Sequence, residues 1–317
     1  MRKALVVGID YYLNINSLSG CVNDANSVTS VLERNSDGTK NFDVVTLTAT
    51  SPSSIIARKS LKDAVEKLFK DNNDQVALFY FSGHGYIEST GGYLVTSDSN
   101  DGDDGFSIND LMALANKSPA KNKIIILDCC HSGIAANCPD NNTAILSEGT
   151  TIMTASSSEQ YAMEENGSGV FTALFVDAME GGASNLVGDI TPGSIYAHID
   201  QSLGPWDQRP IFKTNVKNFI TLRKVQPPIP LQDLKKIVEL FPTMEEEFKL
   251  DPEFEPTSEN PDPGKMKKFA VLQKFNRVNL VVPVAAEHMY YAAMDSKSCK
   301  LTVLGKHYWR LVKKGRI

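Results

Sequence analysis

Five apolar, mostly β-branched runs mark the first half of the chain. They are KALVVGI (3–9), FDVVTLT (42–48), QVALFYF (75–81), KIIIL (123–127) and TTIMTA (150–155). Each reads as a strand. Helical patterns lie between them. CVNDANSVTSVLERN (21–35) carries apolar residues at 28, 31 and 32, and SPSSIIARKSLKDAVEKLFK (51–70) at 56, 61, 64, 65, 68 and 69, with Pro52 at the expected helix start. SINDLMALAN (107–116) and GVFTALFVDAM (169–179) complete the set. Apolar strands alternating with helices predict an α/β fold, a mostly parallel sheet covered by helices on both faces. RPIFKTN (209–215) reads as a later strand.

The pattern changes after residue 224. VQPPIP (225–230) reads as a stiff linker and LQDLKKIVELF (231–241) as an amphipathic helix. The acidic, proline-rich stretch 243–264 reads as flexible. Two helices are expected next, at GKMKKFAVLQKFNR and PVAAEHMYYAAM, then a hairpin in CKLTVLGKHYWRLVKKGRI turning near Gly305. The expected organisation is thus an α/β domain over 1–224, a Pro/acid-rich linker with one helix over 225–264, and a basic α+β module over 265–317, winged-helix-like in plan. No internal repeat is seen.

Composition adds a charge asymmetry. The net charge is −6, yet residues 71–208 hold 19 acids against three bases, and 265–317 hold 12 bases against two acids. The first region suits cationic partners, the second anionic ones. With Tyr308 and Trp309 beside lysines and arginines, the basic module suits either nucleic acid or protein docking, the α/β domain of its own chain included. The five cysteines, an odd and irregularly spaced set, argue against a disulfide scaffold and for a reducing compartment. The apolar part of MRKALVVGID is too short for a signal segment, and no apolar run reaches membrane-spanning length. A cytoplasmic protein without a membrane span is expected.

In open α/β sheets ligands gather outside the carboxyl ends of the strands. Strand one is followed by GCVNDA with Asp24, strand three by SGHG with His84, and strand four by DCCHSG with Asp128 and Cys130. Side-chain alternation sends Asp128 and Cys130 one way and Cys129 the other, as a buried apolar thiol. Cys130 is then the candidate nucleophile and His84 its partner. His131, adjacent in sequence, is poorly placed to serve. A zinc site from Cys129, Cys130, His131 and Cys138 fits no tetrahedral spacing.

SGHG, then DCCHSG with Cys130 46 positions after His84, resembles the caspase-like cysteine peptidase superfamily, closest to its metacaspase and bacterial caspase-homologue branch. KALVVGIDYY, GCVNDANSV, GGYLVTSDS, TASSSEQYAME and QRPIF are similar to further core segments, so the resemblance spans about 1–222. It implies peptide-bond hydrolysis by a Cys130–His84 dyad, with the amides of Gly85 and Cys130 as oxyanion donors and no cofactor required. Metacaspases place acids at the positions of Asp24 and Asp128 to hold Arg or Lys at P1, the residue before the cut. Residues 124–208 contain no Lys or Arg, so a basic pocket for Asp is not offered there. Some metacaspases bind calcium. Here SDSNDGDDGFSIND offers oxygen ligands, Asp98 and Asp110 among them, and reads equally as a polar surface loop. Bacterial relatives with appended modules are tied to antiviral defence or cell death. The competing reading is a catalytically silent scaffold, or a nucleic-acid-responsive regulator acting through the basic module.

Overall fold

The computed structural model describes residues 1–70, 74–129, 135, 145–156, 164–165, 167–204 and 208–317. Two compact units are formed, one of Met1–Asn185 with Asp189–Gln226, the other of Leu186–Gly188 with Pro227–Ile317.

Among the described residues, the first unit is built on a six-stranded sheet. In chain order its strands are β1 (Arg2–Ile9), β2 (Asp43–Ala49), β3 (Val76–Ser82), β7 (Asn122–Asp128), β8 (Thr150–Thr154) and β12 (Ile211–Asn215). The spatial order is β12-β8-β7-β3-β1-β2, with every pairing parallel except β12 against β8. Every residue of β3 is buried, as a central strand covered on both faces requires.

The two faces divide by alternation. Phe79, Phe81, Ile125, Leu127 and Cys129 pack with α2 (Arg58–Lys70) and α3 (Ile108–Lys117). Leu78, Tyr80, Ile124 and Ile126 pack with α1 (Cys21–Glu33), α4 (Val170–Asp177) and α5 (Pro192–Ser202). Gly8 of β1 is needed for α1 to seat, since a Cβ there would lie 2.3 Å from the Cys21 carbonyl oxygen. Asp10 then accepts from the backbone N–H groups of Cys21 and Val22, satisfying donors that a helix start leaves unpaired.

Several small elements were not foreseen in the sequence. After β3 the chain forms an antiparallel sheet of β4 (Gly85–Glu88), β5 (Gly91–Leu94) and β6 (Phe106–Ser107). Two short antiparallel pairs join β9 (Glu164–Glu165) to β10 (Ser168–Gly169), and β11 (Asp189–Ile190) to β13 (Arg223–Lys224). The second helix starts at Arg58 rather than near Pro52, because residues 51–54 form a turn knitted by the Ser54 hydroxyl.

The second unit corrects three expectations. The stretch 227–264 is part of its core rather than a linker: Ile229, Leu234, Ile237, Phe241, Leu250 and Phe254 are buried together with Phe269, Leu272 and Phe275. The acids expected to keep 243–264 loose instead anchor it, Asp251 and Glu253 both pairing with Lys265. The expected terminal hairpin is a strand followed by a helix. The unit runs α6 (Leu231–Lys235), α7 (Ile237–Leu240), β14 (Phe248–Lys249), α8 (Pro263–Arg277), β15 (Val281–Val284), α9 (Met289–Met294), β16 (Ser298–Leu301) and α10 (Val303–Lys313), with sheet order β14-β16-β15. Thr302 caps α10 through the Gly305 N–H, so Gly305 sits inside a helix and no wing forms there. Nor are the two aromatics offered for stacking. Tyr308 is buried and its hydroxyl accepts from Leu186 N–H, while the Trp309 indole N–H donates to the Phe241 carbonyl.

Among the described residues, no helix is long and apolar enough to cross a membrane.

Candidate functional site

His84 follows β3 at the carboxyl end of the sheet. Its backbone N–H donates to the hydroxyl of the buried Tyr12 at 2.8 Å, and its carbonyl accepts from Val95 N–H at 3.0 Å. The two rings lie 4.8 Å apart. Nε2 of the imidazole is 2.8 Å from the Asn16 carbonyl oxygen. A carbonyl can only accept, so in the neutral ring Nε2 carries the hydrogen and Nδ1 carries the basic lone pair. The ring is thereby oriented with one nitrogen ready to take or give a proton. Gly85 opens β4 opposite Leu94.

Asp128 ends β7, directly opposite Ser82 of β3. Asp24 projects from the first turn of α1. Both carboxylates are buried, at 5% and 2% exposure, and both lie against Gly169. The Gly169 N–H donates to Asp24, and a Cβ on Gly169 would lie 2.3 Å from Asp128 Oδ2 and 3.2 Å from Asp24 Oδ2. Ser82 and Ser168 donate hydroxyl hydrogens to Asp24. Thr172 Oγ1 donates to Asp128 at 2.6 Å, and Tyr80 donates in turn to Thr172 at 2.6 Å. Hydroxyl donors thus surround two acids buried against the same glycine. The field they make is negative. Burial pushes the Tyr80 phenol well above its usual range and the charges of Asp128 and Asp24 push it further. Burial likewise raises the Cys21 thiol, with Asp10, Asp128 and Asp24 adding to it against a Ser82 hydrogen bond.

Cys129 is 1% exposed and belongs to the α2/α3 face, opposite to the Asp128 side, as alternation predicted. Cys130, His131 and Cys138 lie outside the described residues. Two of the acids named for calcium lie as follows. Asp98 accepts from Arg58 N–H and Thr96 Oγ1, capping the start of α2, and Asp110 is an exposed residue in the first turn of α3. Among the described residues no group of three His, Cys, Asp or Glu is gathered that could hold a metal ion.

Sequence reasoning missed Tyr12, Asn16, Gly169 and Thr172. Asn16 acts through its backbone and leaves no side-chain signal. Ser82 and Tyr80 were findable, because alternation along β3 puts them on the Asp128 side.

Residues 1–230 match the family described as Peptidase C14, caspase domain. The chain belongs to the caspase domain family. Metacaspase-1 of Lodderomyces elongisporus is 33% identical over 156 residues, covering 44% of this chain and 34% of that protein. Metacaspase-1 of Candida albicans is 32% identical over 154 residues, with 44% and 34% covered. The chain thus spans about a third of the length of these relatives. Among solved structures, a Geobacter sulfurreducens protein superposes with a TM-score of 0.53 at 18% identity, over 72% of this chain and 98% of that one. Caspase-1 of Spodoptera frugiperda gives 0.51 at 13% identity, over 71% and 91%. These two structures share the fold.

Proposed function

We propose that this caspase-domain protein is a cysteine endopeptidase that cuts peptide bonds after Arg or Lys. The observation that carries the reading is the buried pair Asp24 and Asp128 meeting at Gly169, beside the strand that presents His84. Two desolvated carboxylates repel an acidic side chain and pair well with a guanidinium or ammonium group. The sequence supplies Cys130 as nucleophile. In the proposed step its sulfur attacks the scissile carbonyl, and its proton passes to Nδ1 of His84. The imidazolium then protonates the departing amine, leaving a thioester. Water attacks that thioester with His84 now as base, releasing the acid and restoring the thiol. The amides of Gly85 and Cys130 are the proposed donors to the oxyanion.

The test is the loss of peptide cleavage in Cys130→Ala and, separately, His84→Ala, each checked for native fold by circular dichroism. Cleavage that survives either change contradicts the dyad.

The second unit has its own core, so it is proposed as a regulatory module that docks a protein. The nucleic-acid reading is not favoured: besides the internal use of Tyr308 and Trp309, Lys265, Lys274, Lys297 and Lys306 pair with acids of the same unit.

A further inference from the structure

The acid pair lies on one face of the sheet. Asp128 follows the register of Ile124 and Ile126, and Asp24 sits on α1, so both belong to the α1/α4 side. His84 also borders a cavity that opens on the other side. Its volume is about 420 Å³, and its walls include Asn14, Asn16, Tyr86, Asn100 and Asp101. Val95 and Ile15, which also line it, pack on the α2/α3 face. Neither Asp24, Asp128, Gly169 nor Thr172 contributes to it.

The walls are built by specific contacts. Asn14 Nδ2 donates to Asn100 Oδ1 at 3.0 Å. Asn100 is held in turn by Asp104, which accepts from both its backbone and its side-chain N–H groups. The Tyr86 ring rests directly on Gly102, where a Cβ would lie 2.0 Å from Cγ. The lining therefore presents carboxamides, a phenol and the exposed carboxylate of Asp101. Among the described lining residues His84 is the only imidazole, and none is a Lys or Arg.

The geometry points to this cavity as the subsite for the residue that follows the cut bond, accepting a basic or uncharged polar side chain and rejecting Asp and Glu. This rests on the proposed peptidase reading. If the residue before the cut lies in the acid pair, the carbonyl carbon sits between the two faces. His84 must reach the departing amine to protonate it. The residue attached to that amine then continues past the imidazole, into the space walled by Asn14, Tyr86 and Asp101. One face reads the side chain before the cut, and the other reads the side chain after it.

The test uses the full chain and internally quenched peptides that share Arg before the cut, differ only in Lys, Ser or Asp after it, and carry an N-methyl amide at the next bond so that only the bond after Arg can be cut. The readout is the ratio of kcat/KM between the Lys and Asp peptides, which does not depend on how much of a variant is folded. The wild-type ratio is expected at about tenfold in favour of Lys. Asp101→Lys should lower it by about tenfold and the milder Asp101→Asn by about threefold. A wild-type ratio near one, or a ratio that neither substitution moves, overturns the subsite. If no Arg-containing peptide of the set is cut at all, the peptidase reading itself fails and the subsite with it, a result distinct from an active enzyme with an unmoved ratio.

Discussion

The Tyr12 hydroxyl accepts a hydrogen bond from the backbone N–H of His84 at 2.8 Å, beneath an imidazole whose Nε2 is tied to the Asn16 carbonyl. Tyr12→Phe removes only that oxygen. It leaves a partly buried N–H without its partner, at a cost of about 1–3 kcal/mol in unfolding free energy. Because the lost bond orients the proposed base rather than the substrate, kcat should fall by about tenfold while KM changes little. Steady-state kinetics and urea unfolding check both. An equal fall in stability with kcat unchanged would make Tyr12 a packing residue only.

Gly169 has an ordinary backbone, φ −65°, so alanine there meets no conformational strain. It meets the acids instead, with Asp128 Oδ2 at 2.3 Å. Gly169→Ala should therefore cost about 1–3 kcal/mol through overpacking. Cleavage after Arg should fall by at least about tenfold as the carboxylates are displaced. A variant that retains wild-type kcat/KM toward an Arg peptide would show that the pocket does not depend on this contact.

Asp233 anchors two lysines of the second unit, Lys236 at 2.7 Å and Lys274 at 2.6 Å, and their hydrogen bonds hold its carboxyl below the usual range. The folded-state value lies below the unfolded value of about 3.9, so the folded unit binds the proton less readily. The stability Asp233 contributes is present above about pH 4 and is lost as pH falls through the folded value. Asp233→Asn should flatten that part of the acid limb of a denaturation curve. Superimposable wild-type and variant curves from about pH 5 to about pH 3 would contradict the assignment.

Much of the first unit was legible in the sequence for physical reasons that its residues make plain. The apolar runs of β1, β3, β7 and β8 are buried on both faces and carry no competing pattern, so they read as central strands. Asp24, His84 and Asp128 were reachable because parallel topology alone sends their loops to one edge. The second unit was misread where local propensity met tertiary packing. TVLGKHYWRL looks like a hairpin because of its β-formers and glycine. The Thr302 cap, and the burial of Gly305 against the Leu280 carbonyl, make it a helix. The proline-rich acids of 243–264 looked loose because the sequence does not show that Lys265 and the Phe254–Phe269 ring contact tie them down.

The central claim is a basic preference set by two buried acids, and fluorogenic peptides with Arg, Lys, Asp or Ala before the reporter test it most directly. The panel is run on wild type, on Asp24→Asn and Asp128→Asn, and on Cys130→Ala as the blank. The account predicts that wild type cuts the Arg and Lys peptides, with Asp and Ala at background. It predicts that each Asn variant loses about 100-fold in kcat/KM toward Arg, in line with removing one partner of a buried charge pair. Efficient cleavage after Asp, or an Arg preference that survives both Asn substitutions, would contradict it.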